Sequence, residues 1–238
     1  FLPIAKLLNK PFVNVMHLDL FPELAETFLE YKTNIITISN AQRKDFPNLN
    51  YAKTVYNCTD IDKFKFNDAP GDYLLMVGSI GRHKNQGEAI AVARELNMKL
   101  ILAGKIRDQD YFEELKKDID GDQIKWIGEI GFEEKLKLYQ NAKVFIFPIN
   151  WEEPFGLVMI EAMSCGAPVV AYNRGAVKEV LRDGLTGYIV ENHSQMVDAV
   201  KKIDSINRVA CRKHVEENFT VEKMVDSYEQ ALLSLSNK

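Results

Sequence analysis

The chain has 238 residues, 46% of them apolar and 27% charged, with a net charge of −4. That balance excludes a disordered polymer and allows one large domain or two modest ones with a real core. The mild acidity argues against a nucleic-acid binder, which carries a basic surplus.

Three cysteines (Cys58, Cys165, Cys211) lie far apart with no C-x-x-C pair, and the four histidines are isolated. A disulfide framework and a zinc site are therefore not expected, and a reducing, cytoplasmic setting fits. No apolar run reaches transmembrane length. Phe1 is not an initiator methionine and the opening segment has no signal-peptide pattern, so the sequence reads as a piece of something longer.

In chain order, residues 12–16 and 34–38 read as strands, with an amphipathic helix over 23–31 between them. Ser39 is placed to cap a further short helix. These are too few elements for an independent α/β unit and read as the closing part of a sheet that begins elsewhere. Residues 57–70 are polar, end in Pro70-Gly71, and read as an interdomain linker.

From Asp72 onward the pattern alternates. Residues 73–77 form a continuous apolar run, the mark of a strand buried on both faces. Helix 84–96, strand 99–103, helix 110–118, strand 123–127, helix 132–140 and strand 144–147 follow. A helix from Leu157, strand 168–171, a short helix near Lys178 and strand 187–190 complete the alternation. Six short strands alternating with helices predict a doubly wound, parallel Rossmann-like α/β sheet. Helices are expected over 194–204 and 208–217, and a last one from Thr220 as N-cap, with Phe219 and Met224 spaced for a hydrophobic staple. Its apolar residues Met224, Tyr228, Ala231, Leu232 and Leu235 recur at helical spacing, so one face must dock on something.

The segment from Glu153 to Glu161 carries the most chemistry. The helix opening at Leu157 is apolar on all sides through Met163 except at Glu161. A carboxylate there is costly unless it receives hydrogen bonds, and no Lys or Arg stands three or four positions away on the same helix. Its partner must come from elsewhere in the fold or from a hydroxyl-rich ligand. Glu153 precedes Pro154, which favours extended backbone at the glutamate. The first N–H groups of the helix after Phe155-Gly156 lack internal partners and form a ready anion site.

Ligands of doubly wound sheets bind outside the carboxyl ends of the strands. Gly78-Ser79-Ile80-Gly81, Gly104-Lys105, Gly128-Glu129-Ile130 and Trp151-Glu152-Glu153 all follow predicted strands and so converge on one edge. Arg82 and Lys84 can add charge-assisted contacts to a phosphate there. Neither G-x-G-x-x-G nor G-x-x-x-x-G-K-[ST] occurs, so the dinucleotide and P-loop readings fail. His17 ends the first strand; by itself a lone histidine reads as structural.

These residues resemble glycosyltransferase family 4, retaining enzymes of the GT-B fold. Glu153-Pro154-Phe155-Gly156-Leu157 through Glu161 matches that family's E-x7-E signature, and the likeness runs on through residues 162–171, 174–180 and 183–187. Upstream, residues 38–42 and 55–60 resemble the end of that family's N-terminal domain and the crossing into the second. The resemblance implies three parts. Residues 1–66 would close the acceptor-side Rossmann-like domain, which is incomplete. Residues 67–218 would form the donor-binding domain, and 219–238 a helix crossing back.

The activity implied is transfer of a hexosyl group from a UDP- or GDP-sugar to an unidentified acceptor with retention, the nucleotide-sugar being a co-substrate and no metal or other cofactor being required. Glu161 would accept from the ribose hydroxyls, and Glu153 would touch the donor sugar near the reacting centre. The backbone N–H groups of Phe155, Gly156 and Leu157 would hold sugar hydroxyls and phosphate. Ile130 would lie beside the base, Lys84 would steady the departing diphosphate, and His17 would face the donor sugar.

The chain departs from the family pattern in three places. Ser79 stands where an arginine commonly follows the glycine of the first strand, with Arg82 as the candidate substitute. The family's Gly-Gly is Gly175-Ala176. Most of the acceptor-side domain is absent, so the chain is expected to bind donor better than it catalyses, and to need that domain or a partner chain. Membrane association through it is compatible with the sequence but not indicated. The alternatives are a sugar-nucleotide epimerase of the same fold and a non-catalytic nucleotide-sugar binding subunit.

Overall fold

A computed structural model describes residues 12–236. Its strands fall into two sheets, both parallel, because each run of β-branched and aromatic residues is followed by a helix that must return the chain to the same edge.

The first sheet has three strands, β1 (Val13–Met16), β2 (Asn34–Thr37) and β3 (Tyr51–Thr54), paired in that order. Helix α1 (Pro22–Glu30) joins β1 to β2 and buries Ala25 and Phe28 on Ile35 and Leu49. After β2 the expected short helix is one 3₁₀ turn, Ala41–Arg43, with the Ser39 hydroxyl accepting from the Gln42 amide at 3.4 Å. Strand β3 was not expected. Its sequence, Tyr-Ala-Lys-Thr, has no apolar alternation, and every residue is only half-buried.

The second sheet contains β4 (Tyr73–Val77), β5 (Lys99–Ala103), β6 (Ile124–Trp126), β7 (Ala142–Phe147), β8 (Val169–Tyr172) and β9 (Gly187–Val190). Their spatial order is β6-β5-β4-β7-β8-β9, the doubly wound arrangement. The direction of winding reverses between β4 and β7, which pair directly, so a crevice opens beyond their carboxyl ends. Connecting helices α2 (Gln86–Glu95), α3 (Gln109–Lys116), α4 (Phe132–Asn141), α5 (Leu157–Ser164) and α6 (Val177–Val180) follow the strands. Leu74, Leu75, Val144, Phe145, Ile146, Val169 and Val170 have no solvent exposure, which explains why these strands read as apolar runs rather than alternations.

The crossing segment after β3 is not a free linker. Phe64 is buried in the larger core, Asn67 donates its amide to Cys165, and Arg212 donates to the carbonyls of Ile61 and Phe64. These contacts are made by backbone groups and by Phe64, which is why the polar composition of the segment does not show them.

Helices α7 (His193–Lys201), α8 (Arg208–Asn218) and α9 (Val221–Ser236) close the chain. The docking face of α9 meets the first sheet: Ala231 packs with Ile36 and Val55, with Met224 and Tyr228 beside them. Leu232, expected on that face, is 49% exposed. The staple at its start is replaced by another contact. Phe219 turns into the larger core against Tyr56, Phe155 and His214. Among the described residues no helix is long and apolar enough to cross a membrane.

Candidate functional site

The carboxyl ends of both sheets face one another. A cavity of about 450 Å³ lies between them, lined from one side by His17, Ile38 and Asn57 and from the other by Ser79, Lys84, Arg107, Trp151, Glu153 and the start of α5. Each of these residues follows a strand, so the parallel topology alone brings them to one place.

The loops after β4 and β7 are tied together at the winding reversal. The Asn150 amide donates to the His83 carbonyl at 2.9 Å, and the Asn85 side chain donates to the Pro148 carbonyl at 2.9 Å. Gln86 donates to the Ser79 carbonyl at 3.0 Å, fixing the turn that carries Lys84. The Lys84 ammonium then meets the Glu153 carboxylate at 2.9 Å, and the Trp151 indole N–H donates to the same oxygen at 3.1 Å. The ammonium also lies 4.9 Å from the Trp151 ring centre, a cation–π distance. With 18% and 11% of their side chains exposed, Lys84 and Glu153 form a half-dry ion pair whose strength depends on what else enters the cavity.

Gly156 caps α5 with left-handed backbone at φ 87°, and Phe155, Gly156 and Leu157 at the start of the helix line the cavity. Gly175 is the second constrained glycine. At φ 53°, its missing Cβ would fall 2.2 Å from the Glu153 carbonyl oxygen and 2.4 Å from the Glu153 nitrogen. The backbone of Glu153 thus rests on Gly175 itself, and Ala176 donates its amide to the Glu153 carbonyl at 2.9 Å. Ala176 has an ordinary φ of −79°, which is why alanine is tolerated in the second position of that pair.

Glu161 has protein partners. Lys135 reaches one carboxylate oxygen at 2.8 Å and the Tyr139 hydroxyl donates to the other at 2.9 Å, both from α4. Tyr139 is fully buried, and burial with the adjacent Glu161 charge pushes its phenol well above the usual range, so it is a donor only. The question raised by the sequence is answered first by the fold, with lone pairs on both oxygens still free for a ligand.

Of the expected site residues, His17, Ser79, Lys84, Glu153, Phe155, Gly156 and Leu157 line the cavity, whereas Ile130 and Glu161 do not. Arg82 does not line this cavity either. Its guanidinium is held by the Glu114 carboxylate, lies 3.8 Å from Asp108 and stacks on Tyr111, away from the cavity. Arg107 and His83 line the cavity without having been expected there, and Trp151 was expected only as part of a turn at this edge. Partial desolvation, then the Lys84 charge, lowers the His83 imidazole below its ordinary value, with Glu153 opposing.

Glu153 also borders a second cavity of about 300 Å³, on the side of the first sheet, lined by Asp19, Lys44, Asp45 and Glu152. Burial and the charges of Glu153, Asp45 and Glu152 raise the Asp19 carboxyl. The two sheets are clamped nearby by Glu179 of α6. Its carboxylate accepts from the Asn40 amide at 2.8 Å, the Asn40 side chain at 2.9 Å, the Ala41 amide at 2.7 Å and the Tyr56 hydroxyl at 2.9 Å. Among the described residues no three His, Cys, Asp or Glu side chains are grouped to hold a metal ion.

The sequence model of the family described as "Glycosyl transferases group 1" matches residues 59–217. A Klebsiella pneumoniae protein described as an uncharacterized 41.2 kDa protein in cps region is 28% identical over 201 residues, covering 76% of this chain and 54% of its own length. The uncharacterized glycosyltransferase MJ1178 of Methanocaldococcus jannaschii is 26% identical over 171 residues, covering 71% of this chain and 48% of its own. The chain thus spans about half the length of the curated relatives it matches. Among solved structures, Anabaena Alr3699/HepE in complex with UDP superposes with a TM-score of 0.86 at 20% identity, covering 98% of this chain and 75% of that one. The same protein in complex with UDP-glucose gives 0.81 at 20% identity, covering 100% and 75%. The α/β architecture with two parallel sheets is therefore that of GT-B glycosyltransferases.

Proposed function

The chain belongs to the group 1 glycosyl transferases, and on that premise we propose that it is the donor-binding part of a retaining hexosyltransferase of the family 4 kind. The observation that carries this reading is the convergence of His17, Lys84 and Glu153, from three separate loops and both sheets, on one cavity. A UDP-sugar bound by the structural neighbour favours a nucleoside-diphosphate sugar as donor.

In this reading the sugar sits between His17 and Glu153, with the α5 N–H groups on its hydroxyls and the diphosphate. Lys84 faces the departing diphosphate and offsets the charge that develops as the glycosidic bond breaks, with the protein's own cations in place of a metal. Trp151 keeps Glu153 and Lys84 in register. Glu161, already oriented by Lys135 and Tyr139, offers its remaining lone pairs to the ribose hydroxyls, and Ile130 flanks the base. The acceptor approaches past Asp19 from the side of the first sheet. Three free cysteines, two of them buried with thiols pushed up to about 12 by burial, favour a reducing, cytoplasmic setting.

Calorimetric titration with UDP, GDP and their hexoses tests the reading. One nucleotide is expected to bind selectively, and Glu153→Gln should weaken the sugar-bearing form more than the bare diphosphate. Absence of binding by every nucleotide at millimolar concentration would refute it.

A further inference from the structure

The sequence offers two cations for a diphosphate, Arg82 and Lys84, and the fold leaves only Lys84 at the cavity. Lys84 is itself paired with Glu153 at 2.9 Å, so its charge is already partly offset. A group with two or more negative charges needs a further cation there. Arg107 lines the same cavity, and among the described residues no ion pair or side-chain hydrogen bond engages its guanidinium.

Its position is fixed by backbone. Gly104, at the end of β5, approaches the end of β4 so closely that a Cβ would fall 2.0 Å from the Gly78 carbonyl oxygen. Beyond this contact Ile80 and Ile106 form a parallel bridge, with the Ile80 amide donating to Lys105 at 2.9 Å and the Arg107 amide donating to Ile80 at 3.1 Å. Ile80 is fully buried and anchors the pair of loops. The loop bearing Arg107 is thereby stitched to the turn bearing Ser79 and Lys84. Between them the floor is open: Ser79 is small, and a Cβ on Gly78 would meet nothing within 4 Å.

We propose that Arg107, rather than Arg82, is the second diphosphate-binding cation, gripping the donor together with Lys84. A free guanidinium fork suits two phosphate oxygens. The small side chain of Ser79 is what makes room for it. This inference rests on the nucleotide-sugar reading above.

The test is calorimetry of the whole chain with UDP, GDP and the matching nucleosides. Arg107→Ala should weaken the preferred nucleoside diphosphate by about tenfold or more while leaving the weak nucleoside binding unchanged. Arg107→Lys should recover part of the loss, and Arg82→Ala should bind as the unaltered protein does. Undiminished diphosphate binding by Arg107→Ala overturns the assignment, as does an equal loss of nucleoside and diphosphate. If the unaltered protein binds neither UDP nor GDP, the nucleotide-sugar reading fails and this inference with it. Binding that survives Arg107→Ala removes the inference alone.

Discussion

Replacing Glu161 with alanine strips the acceptor from two groups of different exposure. The Tyr139 hydroxyl is fully buried and loses its partner outright, whereas the Lys135 side chain is 24% exposed and regains water. An orphaned buried donor costs about 1–3 kcal/mol, and a hydrogen bond to a charged group contributes about 1.5–3 kcal/mol. With the lysine share taken at its low end because of exposure, the expected loss is about 3 kcal/mol. For a chain of this size each kcal/mol moves the thermal midpoint by about 2–4 °C, so a fall of about 6–12 °C is expected. Glu161→Gln keeps an oxygen for Tyr139 and should cost only about 1 kcal/mol. A double-mutant cycle with Tyr139→Phe should show coupling of about 1–2 kcal/mol. Circular dichroism melts of the four proteins measure all of this. A Glu161→Ala variant within about 0.5 kcal/mol of the parent, or strict additivity with Tyr139→Phe, would refute the reasoning. The Gln variant separates stability from ligand binding. It should stay folded and bind the preferred nucleotide about tenfold more weakly, roughly one lost charge-assisted bond, and unchanged affinity would remove the ribose role.

Four further outcomes follow from the geometry. Glu179→Ala removes the acceptor of four donors from the first sheet and the crossing segment, so amide exchange at Asn40 and Ala41 should accelerate by about tenfold or more, as expected of local opening; unchanged protection would show that the clamp is dispensable. The same variant should lower the Tyr56 phenol, held up to about 12 by burial and Glu179, toward its ordinary value, which ultraviolet titration against Tyr56→Phe reads. Gly175→Ala forces a Cβ into the backbone of Glu153 at left-handed φ, and should destabilise by more than the ~1 kcal/mol of that conformation alone, whereas Ala176→Gly should cost little; similar melting points for both variants would contradict this. His193 bonds Glu95 and Glu88, each at 2.9 Å, and these partners raise its imidazole above the usual value. Its protonated form therefore stabilises the fold fully below the unfolded value near ~6.5 and loses that contribution as pH rises through the higher folded value. The melting difference between the parent and His193→Gln should accordingly shrink from pH 6 upward, the depressed His83 and His214 cancelling in the comparison. A difference that is flat with pH would exclude the mechanism.

Local pattern alone determined much of this protein. Apolar runs such as residues 73–77 and 144–147 are strands because both faces are buried, and their alternation with helices dictates a parallel sheet whose loops gather at one edge. The oddity of a carboxylate in an apolar helix marked Glu161, and the turns after the strands brought Ser79, Lys84 and Glu153 together, since these inferences need only side-chain period and strand direction.

Partnership was decided by tertiary structure. Lys135 and Tyr139 lie on another helix, so no spacing within α5 could announce them. Arg82 and Arg107 are equivalent as sequence, each a cation shortly after a strand. One meets Glu114 and Asp108 while the other faces the cavity, because side-chain direction is set by the loop's anchoring and not by its composition. Strand β3 exists because β2 offers it an open edge, and the polar crossing segment is held by carbonyl contacts to Arg212. Such features depend on which distant surfaces the topology brings within about 3 Å, the reach of a hydrogen bond, and that distance is a property of the folded chain.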